Sequence, residues 1–159
     1  MITETKGNLL EAKTEALVNA VNCVGVMGKG IALQFRRKFS EDYFKDYKRA
    51  CQSGELAIGK VHVYELKNAK FDARVSAFSP RFIVNFPTKH HWREKSRIED
   101  IESGLQSLVE VVERYEIKSV AMSALGCGLG GLDWNDVKPL IEKAFVNLPK
   151  VEVFLFVPR

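Results

Sequence analysis

Ala16-Leu-Val-Asn-Ala-Val-Asn-Cys-Val-Gly-Val-Met-Gly-Lys-Gly-Ile-Ala-Leu-Gln-Phe35 joins an apolar run, a glycine-rich loop and an amphipathic pattern in one stretch. That order reads as strand, loop and helix. Ala16, Leu17, Val18, Ala20 and Val21 run together instead of alternating, as in a strand covered on both faces. Gly25, Gly28 and Gly30 free the backbone for positive φ and for close approach to a ligand. A helix opening at about Lys29 turns its unpaired N–H groups and the positive end of its dipole toward the loop. Such a site favours anions, phosphate above all. The glycine spacing matches neither the dinucleotide fingerprint nor the Walker A loop.

Working outward, the 159 residues suffice for one domain with a sizeable core, and a composition of 46% hydrophobic and 28% charged residues is that of a globular chain. A net charge of +4 admits a polyanionic partner, or equally an ordinary solvated surface. Cys23, Cys51 and Cys127 are odd in number and lack metal-ligand spacing, which suits a reducing cytoplasm. No basic-then-apolar leader is present, and no apolar run approaches the ~18 residues of a membrane helix, so the expectation is a soluble cytoplasmic protein.

Around the opening stretch the chain alternates strands and helices. Thr3 to Thr5 is a short β-prone opening, and Lys6-Gly-Asn-Leu-Leu10 is a turn that begins a helical half-turn. The buried strand runs from Glu15 to Asn22. The helix after Lys29 ends on Arg36, Arg37 and Lys38, cations that complement its dipole. Ser40, followed by Glu41 and Asp42, caps a second helix that runs to about Gln52 and stops at Gly54. Lys60 to Leu66 alternates as a half-exposed strand, and Asn68 to Pro80 reads as a long loop or hairpin. Arg81 to Phe86 is a strand ended by Pro87. Ser96, with Glu99 three places on, predicts a capping box before the apolar face of Ile98, Ile101, Leu105 and Leu108. Lys118 to Met122 is a central strand, Leu132 to Asp136 starts the last helix, and Val151 to Val157 is a closing strand. Together these predict an α/β layered fold, one domain over residues 1–159, with ligands at the strand ends.

The central strand delivers Ser123-Ala-Leu-Gly-Cys-Gly-Leu-Gly-Gly131, a second glycine-rich loop. Two such loops, each after an apolar strand, read as two walls of one phosphate-binding cleft, although each taken singly is an ordinary strand-to-helix turn. Asn19 and Asn22 stand in and at the end of the first apolar strand. There an amide either hydrogen-bonds loop backbone or meets ribose hydroxyls as donor and acceptor at once. Lys89 follows a strand directly, among Pro87, His90, His91 and Trp92. It is either a solvated lysine or, partly desolvated beside other cations, an amine nucleophile able to form a Schiff base with an aldose. Cys127 reads as a packing residue.

Together, Ala16-Leu-Val-Asn-Ala-Val-Asn-Cys23, Gly25-Val-Met-Gly-Lys-Gly-Ile-Ala-Leu-Gln-Phe35, Asn85-Phe-Pro-Thr-Lys89 and Gly126-Cys-Gly-Leu-Gly-Gly-Leu-Asp-Trp134 resemble a macro domain. Within that family they resemble the branch holding the terminal ADP-ribose glycohydrolases and the DarG-type DNA ADP-ribosyl glycohydrolase antitoxins. The resemblance spans nearly the whole chain and implies a mixed central sheet between layers of helices, with ADP-ribose across the strand ends. Carried over residue by residue, it implies that Asn8 and Leu9 face adenine and that Phe156 stacks on it. Gly25, Val26, Met27, Gly28, Lys29, Gly30 and Ile31 would enclose the diphosphate and distal ribose from one side. Ser123, Leu125, Gly126, Cys127, Gly128, Leu129 and Gly130 would do so from the other, with Asn19 and Thr88 beside them. Asn22 would stand by the distal ribose and the linked base as a catalytic residue, and Lys89 would attack the ribose anomeric carbon. The vertebrate glycohydrolase of the branch also uses an aspartate directly after Gly-Cys-Gly-Leu, where this chain has Gly130.

The substrate so implied is ADP-ribose on a nucleobase, thymidine, of single-stranded DNA, as left by a DarT-type toxin. His90, Trp92, Arg93 and Lys95 would lie against the DNA. The resemblance implies no cofactor, no metal and no membrane. Two rivals use the same pocket: a non-catalytic ADP-ribose reader, and a hydrolase of ADP-ribose esters on protein carboxylates. DarG proteins carry a further C-terminal toxin-binding region, and a chain ending at Arg159 just after its last strand is expected to be the macro-domain part of such a protein.

Overall fold

The computed structural model describes residues 1–66 and 80–157. Apart from Pro80, the loop expected from Asn68 to Pro80 lies outside the described residues. Six strands are described: β1 (Ile2–Thr5), β2 (Ala16–Val21), β3 (His62–Glu65), β4 (Phe82–Pro87), β5 (Ser119–Ser123) and β6 (Glu152–Phe156). The helices are α1 (Gly30–Lys38), α2 (Glu41–Ser53), α3 (Ile98–Arg114) and α4 (Trp134–Ala144), with a short 3-10 turn at Leu9–Glu11. The strands form one sheet in the order β1-β6-β5-β2-β4-β3, parallel throughout except for the antiparallel edge pair of β3 with β4.

The continuous apolar run of β2 has its reason in this order, because β2 is central and covered on both faces. Ala16 and Val18 face the core built with Ile101, Leu105 and Leu108 of α3 and Val137 and Ile141 of α4. Leu17 and Val21 face the opposite core, built with Phe35 of α1 and Tyr43 and Tyr47 of α2. Gly104 explains a glycine inside α3: a Cβ there would overlap the Phe86 ring, so the helix presses directly on β4. Ser40 and Gly54 bound α2 as expected, the serine oxygen accepting from Tyr43 N–H and the glycine turning left-handed at φ 81°.

Three local expectations change. Pro87 belongs to β4 and is its last residue, paired opposite Val21, beyond the end of the β3 pairing, and the next N–H on the β2 side comes from Thr88. Ser96 does not cap α3: Arg97 holds the cap position without a side-chain bond, and the Ser96 hydroxyl is buried with no partner among the described residues. Positive φ occurs at Gly25 and Gly30 but not at Gly28.

A chain of buried polar groups crosses the sheet beneath α2. Asn19 and Asn85 stand opposite one another in β2 and β4. Asn19 Nδ2 donates to the Tyr43 oxygen at 2.9 Å, and Tyr43 donates to Asn85 Oδ1 at 2.5 Å. Asn85 Nδ2 then lies 3.1 Å from His62 Nδ1, and His62 Nε2 lies 2.9 Å from an Asp46 carboxylate oxygen. Only one proton arrangement satisfies every link: His62 accepts at Nδ1 and donates from Nε2. A second ring proton would point at the Asn85 amide hydrogens.

Burial accordingly holds the His62 imidazole below its ordinary value of 6.5, against the pull of Asp46, which raises it. The unfolded chain takes up this proton near pH ~6.5 and the folded chain only below that, so stability is full above that pH and declines as pH falls beneath it. Melting temperature followed from neutral pH downward should decrease through this window, and His62→Gln should flatten that part of the profile.

Candidate functional site

Five parallel strands bring their carboxyl ends to one edge of the sheet, the place where α/β folds bind ligands. β1 leads to Asn8, β2 to the first glycine loop, β4 to Lys89 and β5 to the second glycine loop, while Phe156 ends β6. Asn8, Leu9, Ile31, Gln34, Ser123 and Phe156 meet around a cleft of about 440 Å³. Five of these six were expected from the sequence. Gln34 was not, although its position one turn beyond Ile31 on an amphipathic helix is a usable signal. Asn8 is already engaged through its Oδ1, which accepts from Leu10 N–H at 3.0 Å.

The first glycine loop closes on the Asn22 carboxamide. Its Oδ1 accepts from Val24 N–H at 3.1 Å and from Val26 N–H at 3.3 Å, and its Nδ2 donates to the Val26 carbonyl at 2.7 Å. Met27, wholly buried among α1 and α2, pins the far end. Gly25 needs its left-handed φ of 82°, and a Cβ there would touch the Lys48 stem at 3.4 Å. Beyond the loop α1 begins at Gly30, with no side-chain cap from Lys29 and no acid in its first turn. Its opening N–H groups therefore keep their full preference for an anion.

In the second loop Leu125 is buried in the core while Leu129 is 63% exposed. The tip of Leu129 comes within 3.7 Å of the Cβ position of Gly30, so the two glycine loops face each other. Gly126 is required twice over: its φ is 75°, and a Cβ would stand 2.9 Å from Leu132 and 3.2 Å from Ile101. Gly128 has open space around it and Gly28 touches only Val26, so these two glycines serve no packing need of the fold. Burial pushes the Cys23 thiol up to about 11 and raises that of Cys127, which leaves neither as a thiolate nucleophile near neutral pH.

The β4 segment lies alongside the first loop. Thr88, buried, donates its N–H to the Val21 carbonyl at 3.0 Å, and Cys23 N–H donates to the His90 carbonyl at 2.8 Å. Lys89, between them, is half-buried. Its ammonium is pushed below the ordinary lysine value, first by burial and then by repulsion from Lys95. Lys95 lays its stem over Gly131, 3.4 Å from the Cβ position there. Trp92 is 42% exposed, with the Arg93 guanidinium over its ring at 4.6 Å and the His91 ring 5.1 Å away. Asn19, Met27 and Leu125, expected at the ligand, have no exposed surface, and their part is to hold strand and loops in place. No group of three or more metal-ligating side chains occurs among the described residues, and no described helix is long and apolar enough to cross a membrane.

The Macro domain family profile matches residues 18–141, which take in both glycine loops and the Lys89 segment. The chain belongs to the macro-domain family. This macro domain is 49% identical, over 99% of its length, to the DNA ADP-ribosyl glycohydrolase of Mycobacterium tuberculosis, and it spans 42% of that relative. The solved macrodomain of Mycobacterium tuberculosis DarG superposes with a TM-score of 0.90 at 47% identity, covering 100% of this chain and 99% of that one. Thermosipho africanus DarTG, solved in complex with ADP-ribose, superposes at 0.88 with 37% identity, covering 99% of this chain and 41% of the other.

Gly130 marks where this macro domain departs from the lysine-and-aspartate pattern. A Cβ there would collide with the Ser96 hydroxyl and stand 2.5 Å from the Gly126 carbonyl oxygen. The space a carboxylate would need is filled by backbone and by the unpartnered serine. Gly130→Asp should therefore lose about 1–3 kcal/mol of stability by overpacking, read by denaturant unfolding.

Proposed function

We propose that this macro domain binds ADP-ribose at the strand ends and removes it from the nucleobase of a thymidine in single-stranded DNA. It would thereby reverse a DarT-type toxin in the cytoplasm. The observation that carries the reading is Lys89: half-buried, lowered in pKa, and joined to the first glycine loop through the bond from Cys23 N–H to the His90 carbonyl. The names of the relatives support the substrate, and the fusion of a DNA ADP-ribosyl transferase with a DNA ADP-ribosyl glycohydrolase in Thermosipho africanus supports the toxin as partner. Three free cysteines fit a reducing compartment.

In this reading the uncapped start of α1 and the backbone around Gly28 and Gly128 take the diphosphate, and Phe156 takes the adenine. Neutral Lys89 Nζ attacks the anomeric carbon of the distal ribose. The glycosidic bond breaks, its electron pair leaves on the base nitrogen, and that nitrogen takes up a proton. Ring opening gives a Schiff base on Lys89, and water then releases ADP-ribose and the free amine. The second loop offers backbone only, since Gly130 carries no acid. Trp92, Arg93, Lys95 and His90 face the DNA strand.

Incubation with an ADP-ribosylated oligonucleotide and, separately, with an ADP-ribosyl-glutamate protein tests the reading. The wild type should release ADP-ribose from DNA, with borohydride trapping an adduct on Lys89. Lys89→Ala and Lys89→Arg should both lose turnover by orders of magnitude while keeping ADP-ribose affinity within a few-fold, because a guanidinium stays protonated. Turnover of the glutamate ester alone, or near-full activity of Lys89→Ala on DNA, would overturn the assignment. Gly128→Val should keep the wild-type melting temperature in the absence of ligand yet lose the stabilisation that ADP-ribose confers, about 2.7 kcal/mol at a hundredfold excess over Kd. Affinity for the oligonucleotide should fall with salt at a slope of about 0.7 per phosphate contacted.

A further inference from the structure

Tyr47 lies on α2, wholly buried, with its ring 6.1 Å from that of Phe44. Its hydroxyl points up at the end of β2, 2.8 Å from the Asn22 carbonyl oxygen and 2.9 Å from Asn22 Oδ1. A phenol has one proton, so both acceptors share it. The same Oδ1 gathers Val24 N–H and Val26 N–H, and the residue after Asn22 passes its own N–H to the His90 carbonyl. Tyr47 thus touches the one side chain on which the first glycine loop closes, and that loop abuts the segment carrying Lys89. Lys48, its neighbour on α2, supports the same loop beneath Gly25.

We infer that the Tyr47 hydroxyl is a positioning residue for ADP-ribose: by fixing the Asn22 carboxamide it sets the backbone of the first glycine loop in the geometry that receives the ligand. This rests on the ADP-ribose reading above. Three features separate the role from mere packing. The ring alone fills the core, so the hydroxyl is not needed for volume. The hydroxyl's oxygen partners among the described residues are the two oxygens of one loop residue, and the Cys51 thiol beside it reaches the same Asn22 carbonyl. Burial also drives the phenol well above its ordinary value of 10.0, so it stays a donor at every working pH.

Tyr43 supplies a matched control. It is another wholly buried α2 tyrosine whose hydroxyl is hydrogen-bonded, but to Asn19 and Asn85 beneath the sheet and not to the loop. Tyr47→Phe and Tyr43→Phe should both lower the melting temperature. Only Tyr47→Phe should weaken ADP-ribose, by about tenfold in Kd, the size of one hydrogen bond's net contribution. In the ligand-free protein it should also speed amide hydrogen exchange at Val24 and Val26 by a similar factor, with Tyr43→Phe leaving those two amides as in wild type. Wild-type ADP-ribose affinity together with unchanged exchange in Tyr47→Phe would overturn the proposal, as would equal losses of affinity in both variants. If the wild type itself binds no ADP-ribose, the ligand reading fails, and exchange at Val24 and Val26 still judges whether Tyr47 sets the loop. If Tyr47→Phe does not fold in buffer, the same exchange comparison is made with a stabilising osmolyte such as trimethylamine N-oxide present. Faster exchange at Val24 and Val26 than in wild type under the same conditions supports the proposal and wild-type exchange overturns it.

Discussion

The register of β2 against β4 is the constraint on which the rest of this molecule depends. Asn19 stands opposite Asn85 and Val21 opposite Pro87. The ladder then continues past both strands through Thr88 N–H to Val21 and Cys23 N–H to His90. Because of this, the first glycine loop and the Lys89 segment leave the sheet side by side. A slip of one residue would turn every side chain of β2 to the opposite face. Asn19 would then enter the α3–α4 core and lose the Tyr43 partner of its Nδ2, leaving the whole amide unpaired where now only its buried Oδ1 lacks a partner among the described residues. Tyr43, reaching both asparagines from α2, accepts from one and donates to the other only in the observed register. The buried contact beneath the sheet thus fits the register that the β2–β4 ladder itself holds.

The glycines divide into distinct kinds of work. Gly25 and Gly126 take left-handed backbone and close loops against neighbouring elements, so the fold itself needs them. Gly128 faces open space and a Cβ at Gly28 would meet only Val26 in ordinary contact, so neither is required by packing. Gly130 is a third case, closed by Ser96 and the Gly126 carbonyl. The last of these decides the chemistry available in the second loop, because a carboxylate cannot be added there without moving backbone. Burial raises the Cys23 and Cys127 thiols, and burial with Lys95 lowers the half-buried Lys89.

Support for the cleft comes from the side of the sheet that carries α1 and α2. Met27 anchors one end of the first loop in that core, and Lys48 and Tyr47 of α2 underlie the other. The rim differs in character: Leu129 and Trp92 are exposed, and cations at Arg93 and Lys95 flank them. A rigid floor and an apolar, basic rim suit a ligand whose anionic part is held by loop backbone while an attached chain runs outside.

Much of this was legible in the sequence because it is local. The apolar run of β2, Ser40 and Gly54 around α2, and the two glycine loops after their strands follow from periods of two and 3.6 residues and from backbone freedom. The four motifs in order carried the family. Local signals also misled where tertiary packing prevailed: Ser96 has the pattern of a capping box but is drawn under the second loop, and Met27 and Leu125 sit in loop motifs yet are core. The bonds of Asn22 to its own loop are local, but its hydroxyl donor is 25 residues away on a helix whose pattern marks Tyr47 only as apolar. The sequence by itself determined the elements, their order and the residues able to bind or react. Which of those residues are exposed, and whether Asn22 and Lys89 share one edge, was decided only when the strands paired, because hydrogen bonds between distant segments depend on register and packing and not on any local repeat.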